Sequence, residues 1–315
     1  MPPSLVTQTI IAFIWDFDRT LTRGYMQKPL FEHYDVDESK FWQEVNALKK
    51  FYGGYDLQLA EDTAYLEHTL NYVRTGKFPG LTNALLRELG AQVELAPGMP
   101  EFIKRTRDFV TQDKRYAKHL ISAEHYVVST GLRQMTEGNP IFEHVDGVWA
   151  CELLPDAPIN NDGALDPASF DPDGPLTQIG YTIDNTTKTR AVFEINKGIN
   201  KIENVNVNAR MTPDERRVPI SNMIYIADGP SDVPVFSVVG GSGGKTLAVH
   251  SGKNYEGVQQ LQDDGRVNHT ASADYSEHSD ADLWLFRSLR IIADAICQRR
   301  EQLIDSIVNP AGHAV

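Results

Sequence analysis

The sequence predicts an α/β fold, a parallel sheet with helices packed on it, and three observations carry that expectation. Residues 10–15, 125–128, 223–227 and 246–249 are short runs rich in β-branched and aromatic side chains. They are apolar throughout rather than alternating, the pattern of strands buried on both faces of a parallel sheet. Between them lie segments whose apolar residues recur at helical spacing, so strand and helix alternate along the chain.

A chain of 315 residues can bury a large core in one or two domains. Its 41% hydrophobic and 23% charged content are those of an ordinary soluble globular protein. Lys plus Arg number 30 against 43 Asp plus Glu, a net charge of −13, which argues against a nucleic-acid or anionic-membrane binder. A phosphorylated substrate stays open, because one local cation reverses the field at a site. The two cysteines, Cys151 and Cys297, have neither metal-ligand spacing nor a disulfide framework, which suits a reducing compartment. The N-terminus lacks the basic and apolar regions of a signal peptide. No stretch approaches the roughly 18 apolar residues of a membrane helix, so a cytoplasmic location is expected. Nothing in the sequence points to an oligomeric state.

In chain order, the first strand ends in Asp16-Phe17-Asp18-Arg19-Thr20-Leu21-Thr22. Strand alternation would send Asp16 and Asp18 to the same side, and two like charges there are costly without a cation between them. Over 23–95 the spacing turns helical, with Phe41, Val45, Leu48, Phe51 and Tyr52 on one stripe, and about four helices are expected. Pro97-Gly98-Met99-Pro100 marks a boundary before a helix over 101–110. The strand at 125–128 ends in Ser129-Thr130-Gly131. Residues 144–183, rich in Asp, Pro, Gly and Asn, read as a long hairpin or flap. The acids Asp162, Asp166, Asp171 and Asp173 within it lack EF-hand spacing and read as a solvated loop. Lys188 opens a helix reaching about Lys197 and Gly198, and the strand at 223–227 ends in Asp228-Gly229-Pro230-Ser231-Asp232. The glycine-rich 240–244 reads as a loop, since it lacks the strand and helix context of a dinucleotide site. Ser279 caps a last helix with Leu283, Phe286, Leu289, Ile292 and Ile296 on one face.

Asp16 and Asp18 after one strand, Ser129 after a second, Lys188 at a helix start, and Asp228 and Asp232 after a third strand form an ordered set. It resembles the four motifs of haloacid dehalogenase (HAD) superfamily phosphatases, with 127–132 and 226–232 most similar to the phosphoserine phosphatase branch. The resemblance implies a Rossmann-like core over 1–22 and 96–315, with a mainly α-helical cap, 23–95, inserted after the first strand. It implies Mg²⁺ held by carboxylate oxygens of Asp16 and Asp228 and the backbone carbonyl of Asp18, with Asp232 ligating through water or orienting the site. Phosphate would meet Lys188, the Ser129 hydroxyl and the Thr130 N–H. Asp16 would be the nucleophile and form an aspartyl phosphate, and Asp18 the general acid and then base. The physics agrees: ligands of open parallel sheets sit beyond the carboxyl ends of strands, where these motifs would meet, and a few carboxylates suit Mg²⁺.

The expected activity is therefore hydrolysis of a small phosphorylated metabolite. Alternatives are phosphoryl transfer by a mutase of the same fold and an idle scaffold that binds a partner. Dehalogenation is disfavoured by Asp18, a second acid with no role there. Lys197 competes with Lys188 but falls at the wrong end of its helix. Phosphoserine phosphatases carry a glutamate nine residues after the nucleophile for the substrate's amino group, and Tyr25 stands there in this chain. Residues 21–28 contain no acid and carry Arg23 and Lys28. Arg23 and Tyr25 are thus the candidate substrate-selecting residues, and free phosphoserine is not the expected preferred substrate.

Overall fold

The central strand β1 (Ile10–Trp15) is buried from Ile11 onward on both faces. The computed structural model describes residues 8–203, 205–208, 210–252 and 254–308. Phe13 stacks on His125 with centroids 4.7 Å apart, and the Trp15 indole donates to His125 Nδ1 at 3.1 Å. Thr106 Oγ1 meets the other ring nitrogen at 2.9 Å. With both nitrogens satisfied, His125 stays neutral in the core, its pKa held well below the usual range by burial.

The chain continues through α1 (Lys28–His33), α2 (Glu38–Gly53), α3 (Ala64–Arg74), α4 (Asn83–Gly90), α5 (Glu101–Gln112) and α6 (Lys114–Lys118). Then come β2 (Ser122–Leu132), α7 (Arg133–Gly138), β3 (Gly147–Pro155), β4 (Leu176–Tyr181) and α8 (Lys188–Lys197). The last part comprises β5 (Met223–Ala227), α9 (Val233–Gly241), β6 (Lys245–His250), α10 (Tyr255–Asp263), β7 (His269–Ser272) and α11 (Asp280–Val308). The seven strands form one sheet in the order β4-β3-β2-β1-β5-β6-β7, parallel except for β4. The chain builds outward from β1 on one side and returns to β5 on the other. The carboxyl ends of β1, β2 and β5 therefore flank a topological switch point, where α/β sheets bind ligands.

Several elements differ from their sequence expectations. β2 runs on to Leu132, so Ser129, Thr130 and Gly131 lie within the strand rather than after it. The β2–β3 register shifts between Val128 and Leu132, which frees those three residues from the regular ladder. Residues 144–183 do form a hairpin, β3 with β4, but β3 is itself a parallel member of the main sheet. Gly240 and Gly241 close α9 rather than lying in a loop. In α2, Phe41 and Val45 are buried while Phe51 and Tyr52 are exposed. In α11 the inward face runs through Ala281, Leu285, Leu289 and Ile292, and Leu283 points to solvent.

Four helices, α1–α4, fill the insertion between Leu21 and Ala96. Its two ends are stitched by Arg23 N–H to Glu94 O at 3.0 Å and Ala96 N–H to Leu21 O at 2.8 Å. An aromatic cluster forms its interior, with Phe31 and Phe41 centroids 4.9 Å apart and Tyr72 and Phe78 at 5.0 Å. Asn139 Nδ2 donates to Gly90 O and Val93 O, tying α4 to the core. No helix of the described residues is long and apolar enough to cross a membrane.

Helices α4 and α7 meet backbone to backbone. A Cβ on Gly90 would fall 2.1 Å from the Met135 carbonyl oxygen, and one on Gly138 would fall 1.9 Å from that of Arg87. Since neither obstacle is a flexible side chain, Gly90→Ala should destabilise the fold by about 1–3 kcal/mol, as overpacking does. Urea unfolding checks this, and an unchanged midpoint would show that the helices separate freely.

Candidate active site

Asp16 leaves the strand but keeps a sheet contact, its N–H donating to Ile226 O of β5 at 2.9 Å. The chain then coils through Phe17–Leu21, where Asp18 is extended and Arg19 takes φ +58°. Strand alternation therefore does not place Asp18, contrary to expectation. A turn brings it back, and the Met26 N–H holds its Oδ1 at 2.8 Å.

Lys188 sits at the centre. Asp184 closes the turn that leads into α8, accepting from the backbone N–H groups of Thr186 and Thr187 at 2.8 and 2.6 Å. The buried Lys188 Nζ donates to Asp16 Oδ1 at 2.8 Å and Asp232 Oδ1 at 2.7 Å. Asp232 also accepts from the Tyr225 hydroxyl at 2.5 Å and from Ser231 Oγ at 2.8 Å. These bonds occupy Asp232 and suit it to orient Lys188. Lys197 lies at the far end of α8 and donates to Val207 O. Asp228, directly after β5, lies 3.3 Å from Arg19 Nη1, and its carbonyl accepts from Asn254 at 2.8 Å.

Asp16, Asp228 and Asp232 present carboxylate oxygens within 4.8 Å of one another, the grouping among the described residues able to hold a metal. Four carboxyl groups, with Asp18, face two cations, Lys188 and Arg19. Fully ionised they would carry two negative charges in excess, so this mostly buried all-oxygen site fits a hard divalent cation that displaces their protons.

Burial raises the Asp16 carboxyl to about 7 against the opposing pull of Lys188. It raises Asp228 to about 6 against Arg19. Asp18 is pushed well above the usual carboxylate range, first by burial and then by the charge of Asp16. Burial works against the charge of Lys188, but Asp16 and Asp232 outweigh it and hold the ammonium protonated.

The buried Ser129 Oγ accepts from the Gly131 N–H at 3.0 Å. The Thr130 carbonyl accepts from the Tyr65 hydroxyl of α3 at 2.6 Å. Neither residue bonds to Asp16 or Lys188 here. Met26 packs onto this bulge: its sulfur accepts from Leu132 N–H at 3.0 Å, and its methyl lies 2.3 Å from where a Cβ on Gly131 would be. Tyr25 is exposed and its hydroxyl meets Arg19 Nη1 at 3.2 Å. Arg23 is exposed and lies 4.0 Å from Glu94, apart from the carboxylates. Sequence reasoning missed Arg19, Tyr65, Met26 and Tyr225. Arg19 stands inside the motif but reads there as a spacer, and Tyr65 reads as one more helical aromatic.

Asp16 and Asp228 hold protons in the folded protein up to about pH 7 and 6, but only to about 4 when unfolded. The metal-free fold therefore loses their contribution as pH rises through this window, and a cation must displace those protons below it. Magnesium chloride should raise the melting temperature more at about pH 8 than at about pH 5.5. Differential scanning fluorimetry checks this, and an equal or larger shift at the acidic pH would contradict it.

No protein-family model matches the chain. Solved structures similar to it include a HAD-family hydrolase from Salmonella enterica serovar Typhi, at 12% identity and TM-score 0.47, covering 85% of this chain and 68% of that one. Another is a phosphoserine phosphatase in its apo form, at 13% identity and TM-score 0.48, covering 85% of this chain and 96% of that one. At such scores these likenesses assign no activity. An uncharacterised protein of Borreliella burgdorferi is 35% identical over 287 residues, 90% of this chain and 97% of the relative. Shared identity at that level over nearly the full length of both means that the chain belongs to the same family as the Borreliella protein.

Proposed function

We propose that the protein is a Mg²⁺-dependent phosphomonoesterase of the HAD type, acting on a small phosphorylated metabolite through an aspartyl phosphate. The observation that carries this reading is the Lys188 ammonium bonded to both Asp16 and Asp232 at the carboxyl ends of β1 and β5. A fixed, protonated cation beside a carboxylate is what phosphoryl transfer to that carboxylate requires. Bound Mg²⁺ would be held by Asp16 and Asp228 and would neutralise charge on the transferring phosphoryl oxygens.

Asp16 Oδ1 is engaged by Lys188, whereas among the described residues Oδ2 meets only the Thr20 hydroxyl at 3.5 Å. Oδ2 is thus the freer oxygen to attack phosphorus. Asp18, whose carboxyl burial pushes well above the usual carboxylate range, gives its proton to the leaving oxygen as the ester P–O bond breaks. The carboxylate so formed takes a proton from the water that attacks the phosphorylated Asp16, which releases inorganic phosphate and restores both acids. Lys188 holds Asp16 in line and balances the oxyanions. The helices of 23–95 act as the cap: Met26 and Tyr65 reach over the Ser129–Gly131 bulge, and Asp16 is only 6% exposed. Substrate entry requires that cover to lift. Tyr25, in place of an acid, disfavours a substrate ammonium and with it free phosphoserine.

Hydrolysis of p-nitrophenyl phosphate with and without magnesium tests the activity. Asp16→Asn should keep the fold, since the amide is nearly isosteric, and reduce kcat by well over tenfold, a barrier increase above ~1.4 kcal/mol. A variant retaining more than about a tenth of the activity would remove Asp16 as the nucleophile.

A further inference from the structure

A cleft of about 380 Å³ opens at the carboxyl ends of β6 and β7, beside the carboxylate cluster. It is lined by Arg19, Thr22, Arg23, His250, Ser251 and Ser272, with small or apolar residues between them and no carboxylate. That is unusual for a chain with 43 acids against 30 bases. Three other clefts on the molecule each include a glutamate. Two guanidinium groups, an imidazole and the two serine hydroxyls are donors suited to an oxyanion, while Thr22 spends its proton on backbone carbonyls.

Arg19 joins this cleft to the site. Its φ of +58° is one that glycine adopts freely and arginine only under strain. Its backbone is held there by N–H bonds to Gly24 O and Thr22 Oγ1, both at 3.2 Å. The strained turn delivers the guanidinium between Asp228 and the cleft. The ion pair with Asp228 and the hydrogen bond to Tyr25 both run through Nη1, and among the described residues Nε and Nη2 have no hydrogen-bond acceptor, which leaves them for a further one. On the far wall, the buried His250 Nδ1 has no hydrogen-bond partner among the described residues. A buried polar atom left unpaired is costly, and turning the imidazole toward the cleft would let a ligand oxygen satisfy it.

We infer that this cleft binds a second oxyanion of the substrate, a carboxylate or phosphate on the leaving-group side. The preferred substrates are then phosphomonoesters that carry such a group. The identity of the reacting phosphate rests on the phosphatase reading above, whereas the cleft is tested by binding alone.

The test is isothermal titration of full-length Asp16→Asn protein in magnesium chloride with matched ligand pairs. One arm compares 3-phosphoglycerate with glycerol 3-phosphate, and the other compares fructose 1,6-bisphosphate with fructose 6-phosphate. The second oxyanion should tighten Kd by at least about fivefold in one arm, and that arm identifies carboxylate or phosphate as the group. Ser272→Asp, an exposed position in the cleft, should return the gain below about fivefold, and Arg23→Glu should do the same. Smaller gains in both arms, absence of binding, or a gain that survives both substitutions would overturn the inference. Wild-type turnover of the same four compounds separates the two claims. A binding gain without turnover supports the cleft and refutes the phosphatase, and turnover without a gain does the reverse.

Discussion

The site depends on one buried cation, the Lys188 ammonium, held between Asp16 and Asp232. Taking these groups out of water costs several kcal/mol each, and only close, well-directed contacts recover it. The surroundings supply them: Tyr225 and Ser231 satisfy Asp232, and the Asp184 turn fixes where α8 begins. Removing the lysine would leave buried carboxylates to be neutralised by protons. Burial raises the carboxyls of Asp16 and Asp228 even against the pull of Lys188 and Arg19, and the neighbouring carboxylates add to the rise. The site is thus built for charge that arrives with its ligands.

The fold explains why these groups meet. β1 is flanked by β2 and β5, and the chain changes direction across the sheet between those two additions. Asp16 and Asp228 leave adjacent parallel strands at the same edge, Ser129–Gly131 bulges from β2 on the other side, and α8 aims Lys188 into the gap. The insertion begins at the coil that carries Asp18 and Arg19, so the cover and the chemistry share one short segment. Met26 belongs to both, holding Asp18 through its N–H and lying against Gly131 through its methyl.

Much of this was legible in the sequence, for a physical reason. Strands buried on both faces must be apolar throughout, so β1, β5 and β6 stand out, and charged residues at their ends are conspicuous. Lys188 over Lys197 follows from which end of α8 faces the sheet edge. The position of Asp18 was not legible, because a left-handed residue at Arg19 bends the chain where alternation would have run straight. The length of β2 was hidden because Ser129-Thr130-Gly131 is turn-like in composition, and the strand pairs again only beyond the bulge, where Leu132 meets Cys151. Tyr65 and Arg19 act through contacts that no local spacing encodes. The exposed Leu283 shows the same limit: the stripe in α11 was read from the helix alone, while its neighbours select the face of Ala281, Leu285 and Leu289.

The central claim is that Asp16 itself attacks phosphorus, with Lys188 holding it in place. The direct measurement is the stereochemical course of hydrolysis of a thiophosphate monoester made chiral at phosphorus, run in isotopically labelled water. Two successive in-line displacements, first by Asp16 and then by water, give overall retention of configuration. Inversion would mean that water attacks the substrate directly, and it would contradict the account.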